Sequence, residues 1–314
     1  MDLGILFLGG AKRVSLANHI ISIAKSMGYE TRIFSYELEK EVPIASVGSV
    51  IIGLRWSDPG IIDHLAETIR RNHINIVLPF VDPAVEVAAA LKEVLPDIFI
   101  PVSPRELCSA MFDKVTADSL FRQKGIPVPE NLGTRSLFPQ IWKPRKGSAS
   151  SGIIIVENES DHPHASPREY LIQRYIPNAK EYTVDCYLSE EGEITSIVPR
   201  ERLATAGGEV IRSVTVRDSK LISLSRRILS SFPFRGPVTL QFLRDSEGRT
   251  FLMEVNPRLG GGVVASVAAG SRILEMLILE SRGSHISPFD GWEENTLITR
   301  YLQETVFHDY NQKK

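Results

Sequence analysis

The alternation of apolar and polar positions divides the chain into two parts. In the first part, apolar runs predict buried strands at residues 3–8, 30–36, 50–54 and 74–80. Helical patterns lie between and after these strands, at residues 14–27, 61–72 and 84–95. Strands that alternate with helices are typical of an open, mainly parallel sheet with helices on both faces. We therefore predict an α/β domain over residues 1–102.

Beyond residue 102 the pattern changes to short strands with fewer helices. Helices are predicted from Pro104 onward and at residues 113–125, 219–232 and 263–279. Strands are predicted at residues 141–144, 153–156, 171–176, 181–188, 194–199 and 210–216, in a hairpin at 238–256, and as strand or short helix at 296–307. This mixture predicts an α+β domain over residues 103–314. It has a small lobe at about 134–175 and a larger lobe at about 176–290.

The hairpin at residues 238–256 carries the most informative polar pattern. Simple alternation in its second strand places Leu252, Glu254 and Asn256 on one face. Glu254 and Asn256, with Gln241 on the neighbouring strand, form an all-oxygen cluster of the kind that Mg²⁺ shares with substrate phosphates. Arg258 continues the alternation, and its planar fork suits a phosphate oxygen. A hairpin whose polar face is merely solvated would show the same pattern.

Two glycine-containing loops are candidates for binding phosphate. The loop at residues 9–14 lacks the spacing of a dinucleotide fingerprint, and a tight strand-to-helix turn explains it better. The loop at residues 147–152 joins two strands and exposes backbone N–H groups that can close over a polyphosphate. Lys143 would reach in from the preceding strand. An exposed, flexible hairpin with an ordinary lysine remains the alternative for this second loop.

Composition and charge exclude several classes of partner. The 314 residues are 43% hydrophobic and 24% charged, with a net charge of −2, so no electrostatic argument favours nucleic acid or an acidic membrane. No apolar run reaches transmembrane length, and the first residues read as a buried strand rather than a signal peptide. Cys108 and Cys186 match no metal-binding spacing and fit a reducing compartment. We therefore expect a cytoplasmic protein that acts on small molecules.

The order of these signals resembles the ATP-grasp superfamily. The signals are, in chain order, Lys114 on a helix, Lys143 before the loop at 147–152, residues 173–177, Glu181, Gln241 and the Glu-x-Asn-Pro-Arg motif at 254–258. The chain looks most like the ATP-binding halves of the carbamoyl-phosphate synthase large chain. Residues 1–102 look like the Rossmann-like pre-ATP-grasp domain that precedes the two-lobed ATP-grasp fold. The motif at 254–258 with its upstream glutamine is the most specific part of this resemblance.

The resemblance implies which residues bind ATP. Lys114 and Lys143 match the two lysines that contact the phosphates. The other expected ATP-binding residues are Gly147, Ser148, Ser151 and Gly152 in the lid over the phosphates, Gln173, Tyr175 and Ile176 in the linker that holds adenine, and Glu181 at the ribose hydroxyls. Arg174 departs from the pattern, because relatives often carry an acid there, so the edge of adenine is an expected point of difference.

The resemblance also implies the metal ligands and the catalytic residues. Gln241, Glu254 and Asn256 match the ligands of Mg²⁺, for which Mn²⁺ is an alternative. Arg258 matches the arginine that faces the γ-phosphate or an acyl phosphate, and together with Lys143 it is expected to be catalytic. The expected cofactors are therefore ATP and Mg²⁺.

The expected activity is that of an ADP-forming ligase. A small carboxylate would attack the γ-phosphate in line and become an acyl phosphate, and an amine would then displace phosphate. An ATP-binding regulatory or partner module, or a kinase-like phosphotransferase, would carry the same nucleotide site. A homodimer would be ordinary for such an enzyme, and the oligomeric state stays open.

The binding site for the carboxylate is predicted from two loops. Arg202 lies in residues 199–209, a basic, glycine-containing segment that reads as a loop between strands, and we assign it to the substrate carboxylate. A solvated loop is an equal alternative. Gly260 and Gly261 lie beside a helix start, where backbone N–H groups can bind a carboxylate or acyl phosphate. A tight strand-to-helix turn explains these glycines nearly as well.

Overall fold

The computed structural model describes residues 2–147, 151–161, 163, 165–308 and 310. The chain forms two compact units. The first comprises Met1–Pro101, Leu274–His285 and Arg300–Lys314, and the second comprises Val102–Ile273 and Ile286–Thr299. Among the described residues, no helix has both the length and the apolar character that are needed to span a membrane.

The first unit is built on a parallel sheet of four strands in the order β3-β2-β1-β4. Its strands are β1 (Asp2–Leu8), β2 (Glu30–Glu37), β3 (Ser49–Ile52) and β4 (Ile76–Pro79). Its helices include α1 (Val14–Ser26), α2 (Ile61–Arg71) and α3 (Asp82–Val94). Strand β1 is buried from its second residue onward because it lies between β2 and β4. The predicted α/β architecture with a parallel sheet is confirmed.

The loop after β1 is filled by the protein's own carboxylate. Glu37, at the end of β2, accepts hydrogen bonds from the backbone N–H groups of Gly10 and Ala11 and from Ser35 Oγ at 2.6 Å. Burial raises the pKa of Glu37 above its ordinary value, and these hydrogen bonds oppose that rise. The arrangement supports the interpretation of this loop as a tight structural turn.

The second unit contains two antiparallel sheets. The larger has the strand order β12-β11-β8-β9-β10-β13, and the smaller has the order β6-β5-β7. The larger sheet consists of β8 (Lys180–Leu188), β9 (Ile194–Ala206), β10 (Glu209–Thr215), β11 (Gly236–Arg244), β12 (Thr250–Asn256) and β13 (Leu297–Thr299). The smaller sheet consists of β5 (Gln140–Pro144), β6 (Ile154–Val156) and β7 (Tyr170–Arg174).

Three helices cover one face of the larger sheet, and the other face carries polar residues. The helices of the second unit are α4 (Arg105–Phe112), α5 (Lys114–Gln123), α6 (Ser219–Ser230) and α7 (Val263–Ala268). The next helix, α8 (Ile273–Ser281), lies in the first unit from Leu274 onward. Apolar residues of α4, α5 and α6 form one core with every second residue of β8 and β11, such as Val184 and Leu240. The alternate residues of these strands therefore point to the opposite face.

Three element predictions are corrected by the structure. The predicted loop at residues 199–209 is instead the continuation of β9 to Ala206, which ends in a turn at Gly207 and Gly208, both with positive φ. The single helix predicted at 263–279 is two helices. Gly270 has a φ of 83°, and the helical conformation is interrupted between the end of α7 and the start of α8. Within the described part of residues 296–307, regular structure is confined to β13.

The face predicted for Leu252 is also wrong. The pairing of β11 with β12 shifts between Gln241 and Phe242, which leaves Met253 as an extra residue in a β-bulge. Leu252 is therefore turned into the core together with Val255. Simple alternation fails here because one bulged residue changes the face of everything before it.

Candidate active site

One polar face of the larger sheet collects five of the predicted site residues, namely Glu181, Arg202, Gln241, Glu254 and Asn256. The face carries Glu181, Thr183 and Asp185 on β8, Arg200 and Arg202 on β9, Thr239 and Gln241 on β11, and Glu254 and Asn256 on β12. Neighbouring strands pair Glu181 with Arg202 and Gln241 with Glu254. Residues that are far apart in sequence thus become adjacent because four strands align their polar positions.

The three predicted metal ligands lie together on β11 and β12. Asn256 Nδ2 donates to Glu254 Oε1, which fixes the asparagine oxygen towards Arg258, whose Nη2 lies 3.2 Å from it. Arg202 Nη1 donates to Gln241 Oε1 at 3.2 Å. The cluster offers one carboxylate and two amide oxygens, which are hard donors that fit Mg²⁺. Among the described residues, no group of three or more His, Cys, Asp or Glu side chains could hold a metal ion.

Lys143 is buried on β5 and forms a hydrogen bond with Gln173, another of the predicted site residues. Its Nζ donates to Gln173 Oε1 at 2.9 Å. Burial lowers the pKa of Lys143 to about 8, the negative charge of Glu254 opposes that shift, and the positive charge of Lys114 adds to it. Lys114, Gln173 and Glu254 also line one cleft beside β12. The structure therefore brings both predicted lysines near Glu254, one of the predicted metal ligands.

The start of the predicted lid is tied to the N-terminus of α5. Asp113 accepts hydrogen bonds from the N–H groups of Val115 and Thr116, and it also forms a two-pronged ion pair with Arg145. Lys114 Nζ donates to the carbonyl oxygen of Gly147 at 2.7 Å.

The rest of the predicted lid is only partly described. Ser151 and Gly152 are exposed, and Gly152 has a φ of 72°. The predicted lid residue Ser148 lies outside the described residues.

The predicted adenine linker begins within β7, at Gln173, and continues beyond the end of that strand. Gln173 is buried, and the half-buried Tyr175 and Ile176 come after it. Arg174 binds the carbonyl oxygen of Phe138 at 3.1 Å and lies 3.7 Å from Glu130. Arg174 therefore points away from Gln173 and is engaged by the protein itself, which explains how an arginine fits a position where an acid was expected.

Arg202 lies at the open end of the polar face. Its Nε is 3.4 Å from Glu181 Oε2, which is within ion-pair distance. Among the described residues, however, that buried N–H has no acceptor with hydrogen-bond geometry. Burial lowers the pKa of Arg202, and the charge of Glu181 opposes that shift.

A second arginine lies beneath the glycine loop. Arg200 is fully buried, and its Nε donates to Asp185 Oδ2 at 2.8 Å. A Cβ on Gly262 would lie 2.9 Å from the Arg200 guanidinium, and one on Gly260 would lie 2.8 Å from Thr239 Oγ1. These glycines are therefore needed for close packing of the loop over the sheet, whatever the backbone N–H groups bind.

Comparison with known proteins identifies the architecture. A family model described as "ATP-grasp in the biosynthetic pathway with Ter operon" matches residues 166–302. The structure superposes on biotin carboxylase from Campylobacter jejuni, solved as a β-γ-ATP complex, with a TM-score of 0.74 and 20% identity over 94% of this chain and 74% of that one. The chain has the ATP-grasp fold. The predicted resemblance to the ATP-grasp superfamily is thereby confirmed.

Two further proteins similar to this chain differ from each other in coverage. N5-carboxyaminoimidazole synthetase from Staphylococcus aureus, solved with ADP, gives a TM-score of 0.72 at 17% identity over 92% of this chain and 80% of that one. A D-alanine–D-alanine ligase from Petrotoga mobilis is 25% identical over 179 residues. That match covers 48% of this chain and 58% of the ligase, so it spans little more than half of the curated relative.

Sequence reasoning missed one residue of the candidate site. Asp118 on α5 is buried, lines the same cleft as Lys114, and accepts a hydrogen bond from Gln173 Nε2 at 2.8 Å. The available signal was a lone acid between Ala117 and Phe121, on the apolar side of the helix. Without its partners, that signal also fits an ordinary pair with Arg122 one turn later.

Proposed function

We propose that this protein is an ATP- and Mg²⁺-dependent ligase that activates a small carboxylate as an acyl phosphate for attack by an amine. The observation that carries the proposal is the polar face itself, where the oxygen cluster of Gln241, Glu254 and Asn256 lies between Arg202 and Arg258. A cluster that has one carboxylate and an arginine on either side suits phosphate and carboxylate groups held by a shared metal ion. The D-alanine–D-alanine ligase relative, whose name describes the joining of two amino acids, supports the reaction class.

The proposed nucleotide site extends from the smaller sheet to the start of β8. Lys114, Lys143 and the lid at residues 147–152 would bind the phosphates, and Glu181 would bind the ribose. Adenine would lie at Gln173, Tyr175 and Ile176. The buried hydrogen bond between Lys143 and Gln173 supports this division, because it joins the proposed phosphate and adenine regions through two side chains.

Gln241, Glu254 and Asn256 would hold Mg²⁺, or Mn²⁺ in its place. When bound, this ion would neutralise charge on the phosphate oxygens. The two amide oxygens accept hydrogen bonds from Arg202 and Arg258, and the cluster supplies only one negative charge of its own. We therefore expect the cation to bind with the nucleotide phosphates rather than before them.

The chain's own residues would perform the remaining chemistry. A carboxylate oxygen attacks the γ-phosphorus as the bond to the β-phosphate oxygen breaks, which releases ADP. The amine nitrogen then attacks the acyl carbon, phosphate leaves and the amine loses a proton. Arg258 and Lys143 would stabilise the charge on the transferred phosphoryl group. Arg202, with the N–H groups of Gly260 and Gly261, would orient the carboxylate.

The proposal is tested by nucleotide turnover. The protein is incubated with Mg-ATP and pools of amino acids and small carboxylates, and ADP and AMP are resolved. We expect substrate-dependent ADP and phosphate together with a new amide, and subdivision of the active pool then identifies the carboxylate. Release of AMP and pyrophosphate would contradict the acyl-phosphate route. A stable phosphoester would instead support a phosphotransferase, and nucleotide binding without turnover in any pool would support a regulatory module.

A further inference from the structure

Asp118 is a buried carboxylate on α5 to which the proposed function assigns no role. Its two oxygens accept hydrogen bonds from three side chains. Gln173 Nε2 donates at 2.8 Å, Arg122 donates through Nε at 2.8 Å and Nη2 at 3.2 Å, and Asn131 Nδ2 donates at 3.1 Å. Only 3% of the residue is exposed, so this network, rather than solvent, satisfies the charge.

The chemistry of these groups fixes the orientation of the Gln173 amide. An ionised carboxylate only accepts hydrogen bonds, so Gln173 must turn its nitrogen towards Asp118. Its oxygen then faces Lys143, whose ammonium group only donates, and the measured separation there is 2.9 Å. Reversing the amide would set acceptor against acceptor at Asp118 and donor against donor at Lys143. The order acid, amide, ammonium is therefore the one in which every group is satisfied.

We propose that Asp118 is a positioning residue that acts through the Gln173 amide to hold the Lys143 ammonium group in place for the nucleotide phosphates. The inference rests on the proposed function, because that function gives Lys143 its phosphate. Burial supports it, since Asp118, Gln173 and Lys143 are all less than 5% exposed and a misdirected amide would find no water to bind.

Electrostatics point in the same direction. The groups that act on Lys143 are Glu254 on β12 and Lys114 and Asp118 on α5. Burial lowers the pKa of Lys143, and Asp118 is one of the two acids that oppose this shift. Asp118 therefore favours the charged form of Lys143 as well as its orientation.

The first test measures the binding of Mg-ADP by calorimetry, which requires no co-substrate. In Asp118→Asn, the new amide can present its nitrogen to Gln173 and reverse that side chain, so we expect about tenfold weaker binding. The control is Glu247→Gln, which removes one carboxylate charge on the exposed turn between β11 and β12. It should bind as the wild type does.

The decisive variant exchanges the two groups. In Asp118→Asn combined with Gln173→Glu, the amide introduced on α5 would donate to one oxygen of the carboxylate introduced on β7, and Lys143 would donate to the other. Gln173→Glu alone sets two carboxylates against each other and should also weaken binding. We expect the double variant to recover to within about threefold of wild type, which a purely structural role for Asp118 would not produce. Additive losses in the double variant would overturn the inference.

A Gln173→Leu variant and the wild-type protein complete the binding experiment. If Asp118→Asn does not fold, Gln173→Leu leaves Asp118 paired with Arg122 and Asn131 while removing the amide. The same loss of about tenfold is then expected, and unchanged affinity would overturn the inference. Wild-type protein that fails to bind Mg-ADP would contradict the proposed function itself. Wild-type binding with an unaffected Asp118→Asn variant would contradict the positioning role alone.

Discussion

Glu254 supplies the only carboxylate among the three proposed metal ligands. Replacing it with glutamine keeps its size but removes its charge, so the metal-bound phosphates would lose their anionic anchor. We expect Glu254→Gln to lower ADP formation by at least about 100-fold at saturating ATP. Glu247→Gln, on the exposed turn of the same hairpin, should leave the rate unchanged. Near-normal turnover in Glu254→Gln would remove this residue from the metal site.

Lys143 should make nucleotide binding depend on pH. Burial lowers its pKa to about 8, so the ammonium group is charged below that pH and neutral above it. Its attraction for phosphate is therefore present at pH 7 and lost as the pH rises through 8. We expect the affinity for Mg-ADP, measured by calorimetry, to fall between pH 7 and 9. Lys143→Arg should flatten that profile because arginine stays charged, and an equally steep profile in this variant would assign the titration to another group.

Asp185 and Arg200 form a fully buried ion pair beneath the glycine loop. Asp185→Ala would leave the guanidinium group in the interior without its counter-charge. We expect a loss of about 3–5 kcal/mol in the free energy of unfolding, measured by urea denaturation. Glu247→Ala breaks an exposed ion pair with Arg249 and should cost less than about 1 kcal/mol. Equal losses in the two variants would show that burial of the ion pair does not determine how much stability is lost when the pair is broken.

At the scale of elements, the junction between α5 and the lid is the point to probe. Asp113→Asn keeps a side chain that can cap α5 but weakens the ion pair with Arg145. We expect trypsin to cleave after Arg145 or Lys146 several times faster in this variant, because local opening is easier. Asp218→Asn is a matched control, since Asp218 also caps a helix and pairs with an arginine, Arg244, at another place. Equal cleavage rates in both variants would contradict the anchoring role.

The strands and helices were largely predictable because their apolar periodicity reports the core. The exceptions share a cause. Arg200 and Arg202 look like loop residues in sequence, yet they continue β9 because Asp185 and Glu181 on β8 provide their counter-charges. The bulge at Met253 depends on how β11 pairs with β12. These features depend on partner residues on other strands, so the local pattern of apolar and polar residues does not predict them.

Site residues could be predicted where they belong to a sequence motif. They could not be predicted where their position depends on a hydrogen-bond network between distant parts of the chain. Glu254 and Asn256 belong to the motif at 254–258, Gln241 is the glutamine upstream of it, and the structure places the three together. The position of Asp118 depends on donors from β7 and from Asn131, which sequence separation conceals. The adenine, ribose and phosphate assignments remain predictions that nucleotide binding will test.

At the scale of the whole molecule, the chain crosses between the two units four times. The first unit is completed by Leu274–His285 and Arg300–Lys314, which are separated from Met1–Pro101 in sequence by residues 102–273 of the second unit. A fragment of residues 1–101 would lack these segments, so we expect it to unfold without a cooperative thermal transition. Adding residues 274–285 through a flexible linker should restore some cooperativity, as followed by circular dichroism. A sharp transition in the short fragment would show that its sheet is self-sufficient.

The carboxylate of Glu37 has a consequence for stoichiometry. In an open α/β sheet, the turn after the first strand is a common place for a nucleotide phosphate. Here the N–H groups of Gly10 and Ala11 already serve an internal anion, and a second nucleotide would have to expel it. Titration should therefore saturate at a single equivalent of nucleotide per chain, and the first unit would contribute no competing site to the measured isotherm.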